Sequence, residues 1–429
     1  MQDYISALVN REIRDPEDNQ TIDVFVKSVV IDDSLDGKEA DLTEALDVGK
    51  SFAIVSDRNT YKALGHRIEK ALGGKFKIKN VSLGDNPKPD LETVESLKAQ
   101  ISADVDALIA VGSGTINDLC KFVAFQLHRP YAVFGTAPSM NGYTSVNAAI
   151  TVKGHKKTLP ARAPQGVFLD LDVLSCCPER LIKAGLGDSL CRSTAQADWL
   201  LAHFFLGQPF KQLPFDLLLP EEDELFRNAE PLLAGDRATM RRLARTLVLS
   251  GFGMTICNSS QPASQGEHLI SHYMDMMYPN EAQKTFHGEH IGVTTLTIAE
   301  IQEKILNRKE PPVLSPTETT RSDVIAHFGE ELGQACWEEF QHKIIDGTKA
   351  TQLNDKSQSD WNDLREKILS IMRPVSQLRE ILAKAKAPQC AEELGWSEVH
   401  YRNACLHAHQ IRNRYTFLDL ASASRISII

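Results

Sequence analysis

The segment that begins at Gln265 is rich in residues able to bind a metal ion, and reads QGEHLISHYMDMMYPNEAQKTFHGEHIGV. His268 and His272 are four residues apart, so they share one helical face, and His287 and His290 are three apart. Two imidazoles with one carboxylate are a common ligand set for a catalytic divalent metal. A solvated, histidine-rich helix is the competing interpretation, and the spacing alone leaves both open.

A carboxylate for such a site lies upstream, in the segment AGLGDSL. The pattern predicts that Asp188 lies between a glycine turn and the start of a helix. An aspartate in that position is commonly a helix N-cap that accepts hydrogen bonds from the first turn. The residues therefore leave two roles for Asp188, a structural cap or a metal ligand.

The segment ALIAVGSGTINDLCKF predicts a strand that runs into a helix through the turn Gly112–Ser113–Gly114. Glycines let the backbone approach a ligand, and the helix N-terminus offers N–H groups to a phosphate. The pattern differs from the dinucleotide fingerprint GxGxxG, because position 117 is Asn and no third glycine follows. A purely structural tight turn is the alternative.

Two further segments could contact a dinucleotide. Asp57 ends the predicted strand SFAIVSD, where an acid can accept hydrogen bonds from the ribose hydroxyls of NAD, or simply cap the next helix. Arg58 could instead pair with the 2′-phosphate of NADP. The loop GTAPSMNGYTS (135–145) has hydroxyls and small residues that could line a cofactor, although many loops have this composition.

The order of predicted elements changes near residue 178. Before it, strands and helices alternate, beginning with a strand predicted over TIDVFVKSVVI (21–31); after it, the segments are helical. This order predicts an α/β domain over residues 1–178, with a mostly parallel, Rossmann-like sheet that binds the dinucleotide, and an all-α domain over 179–429 that binds metal and substrate. We expect the polar stretch at 349–363 to be a surface excursion.

Composition excludes several classes of protein. The chain has 429 residues, of which 42% are hydrophobic and 24% charged, an ordinary globular balance that predicts two domains. A net charge of −10 offers no basic surface to nucleic acid. The sequence contains no apolar run of about 18 residues and no signal-peptide pattern at its start, which predicts a cytoplasmic protein without a membrane span. Eight scattered cysteines without a CxxC pair indicate reduced thiols.

Five motifs in order carry a resemblance to a known family: GSGTINDLCKF, TAPSMNGYTS, AGLGDSLCRSTAQADW, GEHLISHY and FHGEHIGV. Together they resemble the sn-glycerol-1-phosphate dehydrogenases, and the later segment IRNRYTFLDLA is similar to their bacterial AraM-like branch. That family belongs to the superfamily of iron-type alcohol dehydrogenases, glycerol dehydrogenases and dehydroquinate synthases. The resemblance spans roughly residues 20 to 425 and implies the dehydroquinate synthase-like fold, in which an α/β domain precedes an all-α domain.

The resemblance also implies roles for individual residues. The metal ligands would be Asp188, His268 and His287, with Asp188 and His272 catalytic. Asn141, Asp188 and His272 would contact substrate, although the family commonly has aspartate where this chain has Asn141. His290 would lie outside the metal set, as a neighbour of the ligands or a solvated residue. The residues expected to bind the cofactor are Asp57, Gly112, Ser113, Gly114, Thr115, Ile116, Asp118, Thr136, Ala137, Pro138, Ser139 and Ser145, with the last five on the nicotinamide side.

The activity that the resemblance implies is the metal-dependent interconversion of dihydroxyacetone phosphate and sn-glycerol 1-phosphate, by hydride transfer with NAD or NADP. The ion would be one divalent zinc, nickel or iron, and the protein a homodimer or larger homo-oligomer. Glycerol dehydrogenase or a related polyol dehydrogenase is the alternative. A dehydroquinate synthase-like cyclase would need more basic residues near Asp188 than Arg192 alone, and a silent binding protein is disfavoured because all three ligand positions are intact. Lys153, Lys156 and Lys157 could meet a substrate phosphate or form a solvated turn.

Overall fold

A computed structural model describes residues 3–428, which form two compact units. The units interleave along the sequence, so each is built from more than one chain segment. The first comprises residues 3–152, 156–189 and 212–260, and the second comprises residues 153–155, 190–211 and 261–428.

Six parallel strands form the sheet of the first unit, in the order β1-β8-β5-β4-β2-β3. This confirms the predicted mostly parallel sheet. The central strands are continuous apolar runs buried on both faces, as a parallel sheet covered by helices requires. A separate hairpin pairs β6 with β7. The strands are β1 (Ser28–Asp32), β2 (Ser51–Ser56), β3 (Lys77–Ser82), β4 (Ala107–Gly112), β5 (Tyr131–Gly135), β6 (Asn147–Val152), β7 (His155–Pro160) and β8 (Gly166–Asp170).

The strand order contains a switch point between β2 and β4. The chain leaves β2 for β3 on one side and then returns to β4 on the other side of β2. In doubly wound sheets, ligands bind in the crevice beyond the carboxyl ends of the strands at such a point. Asp57 follows β2 and Gly112 ends β4, so the two predicted cofactor segments meet the crevice from neighbouring strands.

The first predicted strand is shorter than expected, because only Ser28–Asp32 of the span 21–31 is a strand. Upstream, the Asp23 carboxylate accepts a hydrogen bond from the Phe25 N–H at 2.8 Å, and Phe25 has a φ of 59°. This local turn breaks the extended backbone that the alternating pattern predicts.

Among residues 3–428, ten helices complete the first unit, and three of them lie beyond residue 178 in the sequence. Helices α10 and α11 pack with the sheet-bearing unit, so residue 178 marks the end of the strands, and its role as a domain boundary stays a prediction. The helices are α1 (Tyr4–Val9), α2 (Glu39–Ala45), α3 (Arg58–Thr60), α4 (His66–Gly73), α5 (Leu91–Gln100), α6 (Gly114–Gln126), α7 (Leu171–Ser175), α8 (Glu179–Leu190), α10 (Leu213–Arg227) and α11 (Arg237–Ile256), with a π-helical turn at Tyr61–Gly65 and a 3₁₀ turn at Glu230–Ala234.

The second unit is helical, with an apolar core that includes Tyr273, Phe328 and Trp361. Its longest helix, α17, contains the polar stretch 349–363. Most side chains of this stretch are exposed, as predicted, but it is part of a regular helix and not an excursion from the fold. Asp346 caps this helix, and residues such as Leu353 bury one stripe of it while the rest stays polar. The helices are α9 (Arg192–Leu206), α12 (Gly266–Met277), α13 (Pro279–Ala282), α14 (His287–Leu306), α15 (Arg321–Phe328), α16 (Glu330–Phe340), α17 (Gly347–Ile371), α18 (Val375–Lys384), α19 (Glu398–His407) and α20 (Phe417–Ala423), with 3₁₀ turns at Gln261–Ala263, Gln341–Lys343, Glu392–Leu394 and Ala408–Ile411.

Among residues 3–428, none of the helices combines the length and apolar character needed to cross a bilayer.

Candidate active site

The glycine turn joins β4 to α6 as the sequence predicts. A Cβ atom on Gly112 would lie 2.6 Å from the Cβ of Ile116, so only glycine lets the helix fold back this closely onto its strand. A Cβ on Gly114 would meet Met140 at an ordinary 3.4 Å, so packing does not require glycine there. Ser113 makes no side-chain hydrogen bond to the first turn of α6, which leaves the N–H groups of that turn without a side-chain cap.

Asp57 caps the short helix that follows β2. Its carboxylate accepts a hydrogen bond from the Thr60 N–H at 2.7 Å, and the Thr60 hydroxyl accepts one from the Asp57 N–H at 3.0 Å. The N-cap interpretation is therefore confirmed, and a ribose contact from the same carboxylate stays a prediction. Arg58 is largely exposed and forms an ion pair with Asp85 at 3.0 Å.

A buried lysine on α6, not singled out from the sequence, organises the region beside the cofactor turn. Lys121 is fully buried, and its Nζ donates hydrogen bonds to the Gly142 carbonyl at 2.6 Å, the Ser145 hydroxyl at 2.9 Å and the Asn147 carbonyl at 2.9 Å. Burial lowers the pKa of Lys121, while the carboxylate of Asp118, 3.6 Å away, acts in the opposite direction. Burial likewise raises the pKa of Asp118, against the effect of Lys121.

These contacts place two predicted cofactor residues inside the protein scaffold. The Ser145 hydroxyl is engaged by Lys121, and Asp118 accepts a hydrogen bond from the Ala149 N–H at 3.0 Å. Through these hydrogen bonds, α6 is connected to Ser145 and Ala149, at the end of the loop 135–145 and just beyond it. A contact of Ser145 or Asp118 with a cofactor stays a prediction. The only sequence signal for Lys121 is its position three residues after Asp118, on the same helical face.

Two glycines on neighbouring helices let the backbone of the loop 135–145 approach closely. A Cβ atom on Gly185 of α8 would lie 1.6 Å from the carbonyl oxygen of Pro138. A Cβ atom on Gly251 of α11 would lie 2.2 Å from the Thr144 hydroxyl oxygen and 2.8 Å from the Asn141 carbonyl oxygen. Glycine is therefore required at both positions if the loop is to keep this path.

Hydrogen bonds fix the loop along its length. The Thr144 hydroxyl donates to the Val248 carbonyl at 2.7 Å, and the Thr255 hydroxyl donates to the Thr144 carbonyl at 2.9 Å. The Tyr143 hydroxyl donates to the Ala137 carbonyl at 2.7 Å. The five residues predicted on the nicotinamide side are all buried: Thr136, Ala137, Pro138, Ser139 and Ser145.

Asp188 lies inside helix α8, near its C-terminal end, rather than ahead of a helix. The predicted glycine turn and the N-cap role are therefore wrong, because Gly185 serves close packing against Pro138 and the helix continues through it. The Asp188 side chain is buried, and its Oδ2 accepts a hydrogen bond from the Asn141 N–H at 2.8 Å. This bond links the predicted metal ligand to the predicted substrate residue.

Three of the predicted histidines converge in the second unit. His268 and His272 lie on α12, and His287 is the first residue of α14. The ring centroids are 5.1 Å apart for His268 and His287, 5.8 Å for His268 and His272, and 5.7 Å for His272 and His287. Two imidazoles that bind one tetrahedral ion at about 2.0–2.1 Å have centroids about 5 Å apart, so the spacing of His268 and His287 fits a shared metal.

Glu267, which the sequence reasoning did not single out, orients the first of these rings. It is fully buried, and its Oε1 lies 2.9 Å from the Nδ1 of His268. A carboxylate on one imidazole nitrogen leaves the other nitrogen for a metal, an arrangement common in metalloenzymes. In the sequence, only the position of Glu267 directly before His268 could have indicated this contact. Adjacent residues of a helix point in different directions, so the sequence alone does not predict that the two side chains meet.

His290 is buried, which excludes its interpretation as a solvated residue. Its Nε2 lies 2.7 Å from the Thr285 hydroxyl, and its ring packs against Trp396 with centroids 4.7 Å apart.

Lys153, Lys156 and Lys157, which were considered for phosphate binding, belong to the hairpin formed by β6 and β7. Lys153 is in its turn, with a φ of 51°, and forms an exposed ion pair with Glu331 at 3.0 Å.

Comparison with known proteins agrees with this fold. Residues 30–178 match the iron-containing alcohol dehydrogenase family. The chain is similar to the glycerol-1-phosphate dehydrogenase [NAD(P)+] of Bacillus licheniformis, with 28% identity over 376 residues, 86% of this chain and 82% of the relative. It is 32% identical over 273 residues to the enzyme of that name from Thermococcus sibiricus, covering 64% of this chain and 77% of the relative. A glycerol dehydrogenase structure from Schizosaccharomyces pombe shares the fold, with a TM-score of 0.61 at 16% identity, over 93% of this chain and 88% of that one.

The parallel sheet, the following helices and the family match place the chain in the superfamily of iron-containing alcohol dehydrogenases. Within that superfamily, the chain belongs to the glycerol-1-phosphate dehydrogenase family.

Proposed function

We propose that this protein is a metal-dependent, NAD(P)-linked oxidoreductase that interconverts dihydroxyacetone phosphate and sn-glycerol 1-phosphate. The observation that carries the proposal is the presence of Asp188, His268 and His287, the metal-ligand set that the resemblance implies, in a chain whose relatives are named for this activity.

Asp188, His268 and His287 would hold the divalent ion. The buried carboxylate and the 5.1 Å spacing of the two imidazole rings suit zinc, nickel or ferrous iron. When bound, such an ion supplies a Lewis acid that polarises the substrate carbonyl. The protein's part is to orient the ligands, which Glu267 does for His268 and the Asn141 N–H does for Asp188.

The dinucleotide would lie at the switch point between β2 and β4. The turn and helix start from Gly112 to Ile116 would offer N–H groups to the pyrophosphate, and Asp57 and Arg58 would meet the adenosine ribose. Residues 136–139 and Ser145 would line the nicotinamide. When bound, the nicotinamide supplies or accepts the hydride.

His272 would act as the proton carrier. Its ring is buried beside the rings of His268 and His287. A substrate oxygen bound near the metal ion would therefore lie next to His272. In ketone reduction, the imidazole would donate a proton to the oxygen at which charge develops, and in the reverse direction it would accept that proton.

The test is an assay of purified protein with NADH or NADPH and dihydroxyacetone phosphate, with and without added divalent metal. We expect metal-dependent oxidation of the reduced cofactor that disappears in His268→Ala and persists in the exposed control His342→Ala. Turnover of glycerol with no turnover of the phosphorylated ketone would replace the proposal by the glycerol dehydrogenase alternative. The homo-oligomeric state and cytoplasmic location stay predictions, to be checked by light scattering and fractionation.

A further inference from the structure

We propose that Cys191, Glu267 and His268 form a second metal position, which takes a thiophilic divalent ion such as cadmium or excess zinc. An ion bound there would inhibit the enzyme by competing for His268. The position is defined by these three side chains alone, and its inhibitory effect rests on the proposed function, in which His268 holds the catalytic ion.

The three side chains converge in the interior of the second unit. Cys191 directly precedes α9, Glu267 and His268 lie in the first turn of α12, and all three are buried. One possible ligand atom from each residue lies within 4.8 Å of one from each of the others. Ligand atoms around a tetrahedral zinc ion are about 3.3–3.8 Å apart, so shifts of roughly 1 Å would close the three around an ion.

The chemistry of the three donors favours a soft ion over magnesium or calcium. A thiolate selects thiophilic metals, and imidazole and carboxylate complete a ligand set that suits zinc. The Cys191 thiol donates a hydrogen bond to the Ala263 carbonyl at 3.5 Å; an ion would replace that proton, which leaves to solvent. The thiolate and the Glu267 carboxylate then carry two negative charges, which a divalent ion neutralises, so no net charge is left buried.

Hydrogen bonds hold the donors near one another before an ion arrives. The Glu267 Oε1 accepts a hydrogen bond from the Gln265 N–H at 2.7 Å and lies 2.9 Å from the Nδ1 of His268. The Thr194 hydroxyl lies 3.3 Å from the Oε2 of Glu267 and 2.9 Å from the Cys191 carbonyl oxygen. Thr194 therefore connects the backbone of Cys191 to the Glu267 carboxylate.

The shared imidazole makes this position inhibitory. An ion held by Cys191 and Glu267 must either take the His268 nitrogen that binds the catalytic ion, or remove the Glu267 carboxylate from its contact with Nδ1. The first change removes a ligand of the catalytic ion, and the second removes the group that orients that ligand. Both weaken the binding of the catalytic ion.

The experiment uses the native, metal-containing protein and cadmium as the probe. Iodoacetamide first blocks the exposed thiols of Cys176 and Cys390, while the buried thiol of Cys191 is spared. Cadmium is then added, and the thiolate-to-cadmium charge-transfer absorption and the cadmium retained after desalting are measured. We expect Cys191→Ser to lose the absorption band and to bind cadmium at least about 10-fold more weakly, since a direct ligand should matter no less than a group that orients one.

The matched control is Cys405→Ser, which removes another buried thiol of the second unit. Among residues 3–428, Cys191 is the only cysteine gathered with a carboxylate and an imidazole, so Cys405→Ser should bind cadmium as the wild type does. Half-inhibition of turnover, relative to the uninhibited rate of each protein, should need about 10-fold more cadmium in Cys191→Ser than in the other two proteins. X-ray absorption at the cadmium edge of the alkylated wild type should show one sulfur ligand, which tests the position without any variant.

Equal cadmium absorption and affinity in the wild type and Cys191→Ser, or a cadmium shell without sulfur, would overturn the second position and leave the proposed function intact. Loss of the band in Cys191→Ser with unchanged inhibition would overturn the competition for His268. A wild-type protein that binds cadmium through Cys191 but is inactive toward dihydroxyacetone phosphate would overturn the proposed function and leave the second position standing.

Discussion

The imidazole rings of His327 and His407 stack with their centroids 4.0 Å apart in the second unit. The Tyr273 hydroxyl lies 2.6 Å from the Nε2 of His327, which ties the stack to the apolar core. Burial, reinforced by the neighbouring His407, lowers the pKa of His327 to about 4. The folded state therefore favours the neutral ring.

This stack predicts a specific loss of stability in acid. Because the pKa of His327 is lower in the folded state than in the unfolded chain, its contribution is present above about pH 6.5 and is lost as the pH falls toward 4. The unfolding free energy of the wild type should fall between pH 7 and pH 4.5. We expect this fall to be about 1–2 kcal/mol smaller in His327→Gln, a figure that allows for the partial exposure of the His327 ring. Urea denaturation at both pH values measures this, and the exposed control His342→Gln should follow the wild type. Identical pH slopes for His327→Gln and the wild type would contradict the prediction.

Metal affinity should depend on Glu267. Burial acts to raise the pKa of this carboxyl, but hydrogen bonds from His268 and the Gln265 N–H outweigh it and keep the pKa low, so the group is ionised beside the imidazole. We expect Glu267→Gln, which preserves the shape, to weaken metal binding about 10-fold, and Glu267→Ala about 100-fold. Competition with a chelator gives these affinities without reference to turnover. Equal affinities in all three proteins would mean that the Glu267 contact does not support His268.

The features that the sequence predicts best are those with a local pattern. The alternation of strands and helices, with apolar runs such as that of β4, predicts a parallel sheet, and the spacing of His268 and His272 predicts that both lie on one face of a helix, which is α12. The glycine turn after β4 was also recognisable, because strand, Gly112 and helix follow one another directly.

Features that depend on contacts between distant segments were missed or misjudged. Asp188 was expected ahead of a helix because AGLGD resembles a turn, yet Gly185 is there to admit the Pro138 carbonyl, 47 residues away. Lys121 looks like an ordinary surface lysine in sequence, and only the fold shows its three acceptors in residues 142–147. No local propensity encodes such partners.

Helix α11 packs closely against the loop 135–145 at Gly251. This contact predicts a kinetic effect of Gly251→Ala. The added Cβ would overlap the Thr144 hydroxyl at 2.2 Å and press on the Asn141 carbonyl at 2.8 Å, so the loop must shift. We expect a destabilisation of about 1–3 kcal/mol and a KM for the ketone raised more than the KM for the nicotinamide cofactor. Gly73→Ala is the matched control, since its Cβ would meet nothing within 4 Å, and it should be neutral or slightly stabilising. If Gly251→Ala left the KM for the ketone unchanged, the path of the loop would not control substrate binding.

Cofactor choice should respond to Arg58 because of its position at the crevice. The guanidinium follows β2, is largely exposed, and has a single ion pair, to Asp85, so a 2′-phosphate could replace that partner with little cost. We expect Arg58→Ala to raise the KM for NADPH several-fold while the KM for NADH stays within about two-fold, because the Asp57 carboxylate that can meet an unphosphorylated ribose is untouched. Lys62→Ala, one turn further along the same helical segment, controls for the loss of a positive charge. Steady-state kinetics with both cofactors decide the matter, and an equal rise in the two KM values would contradict a contact between Arg58 and the 2′-phosphate.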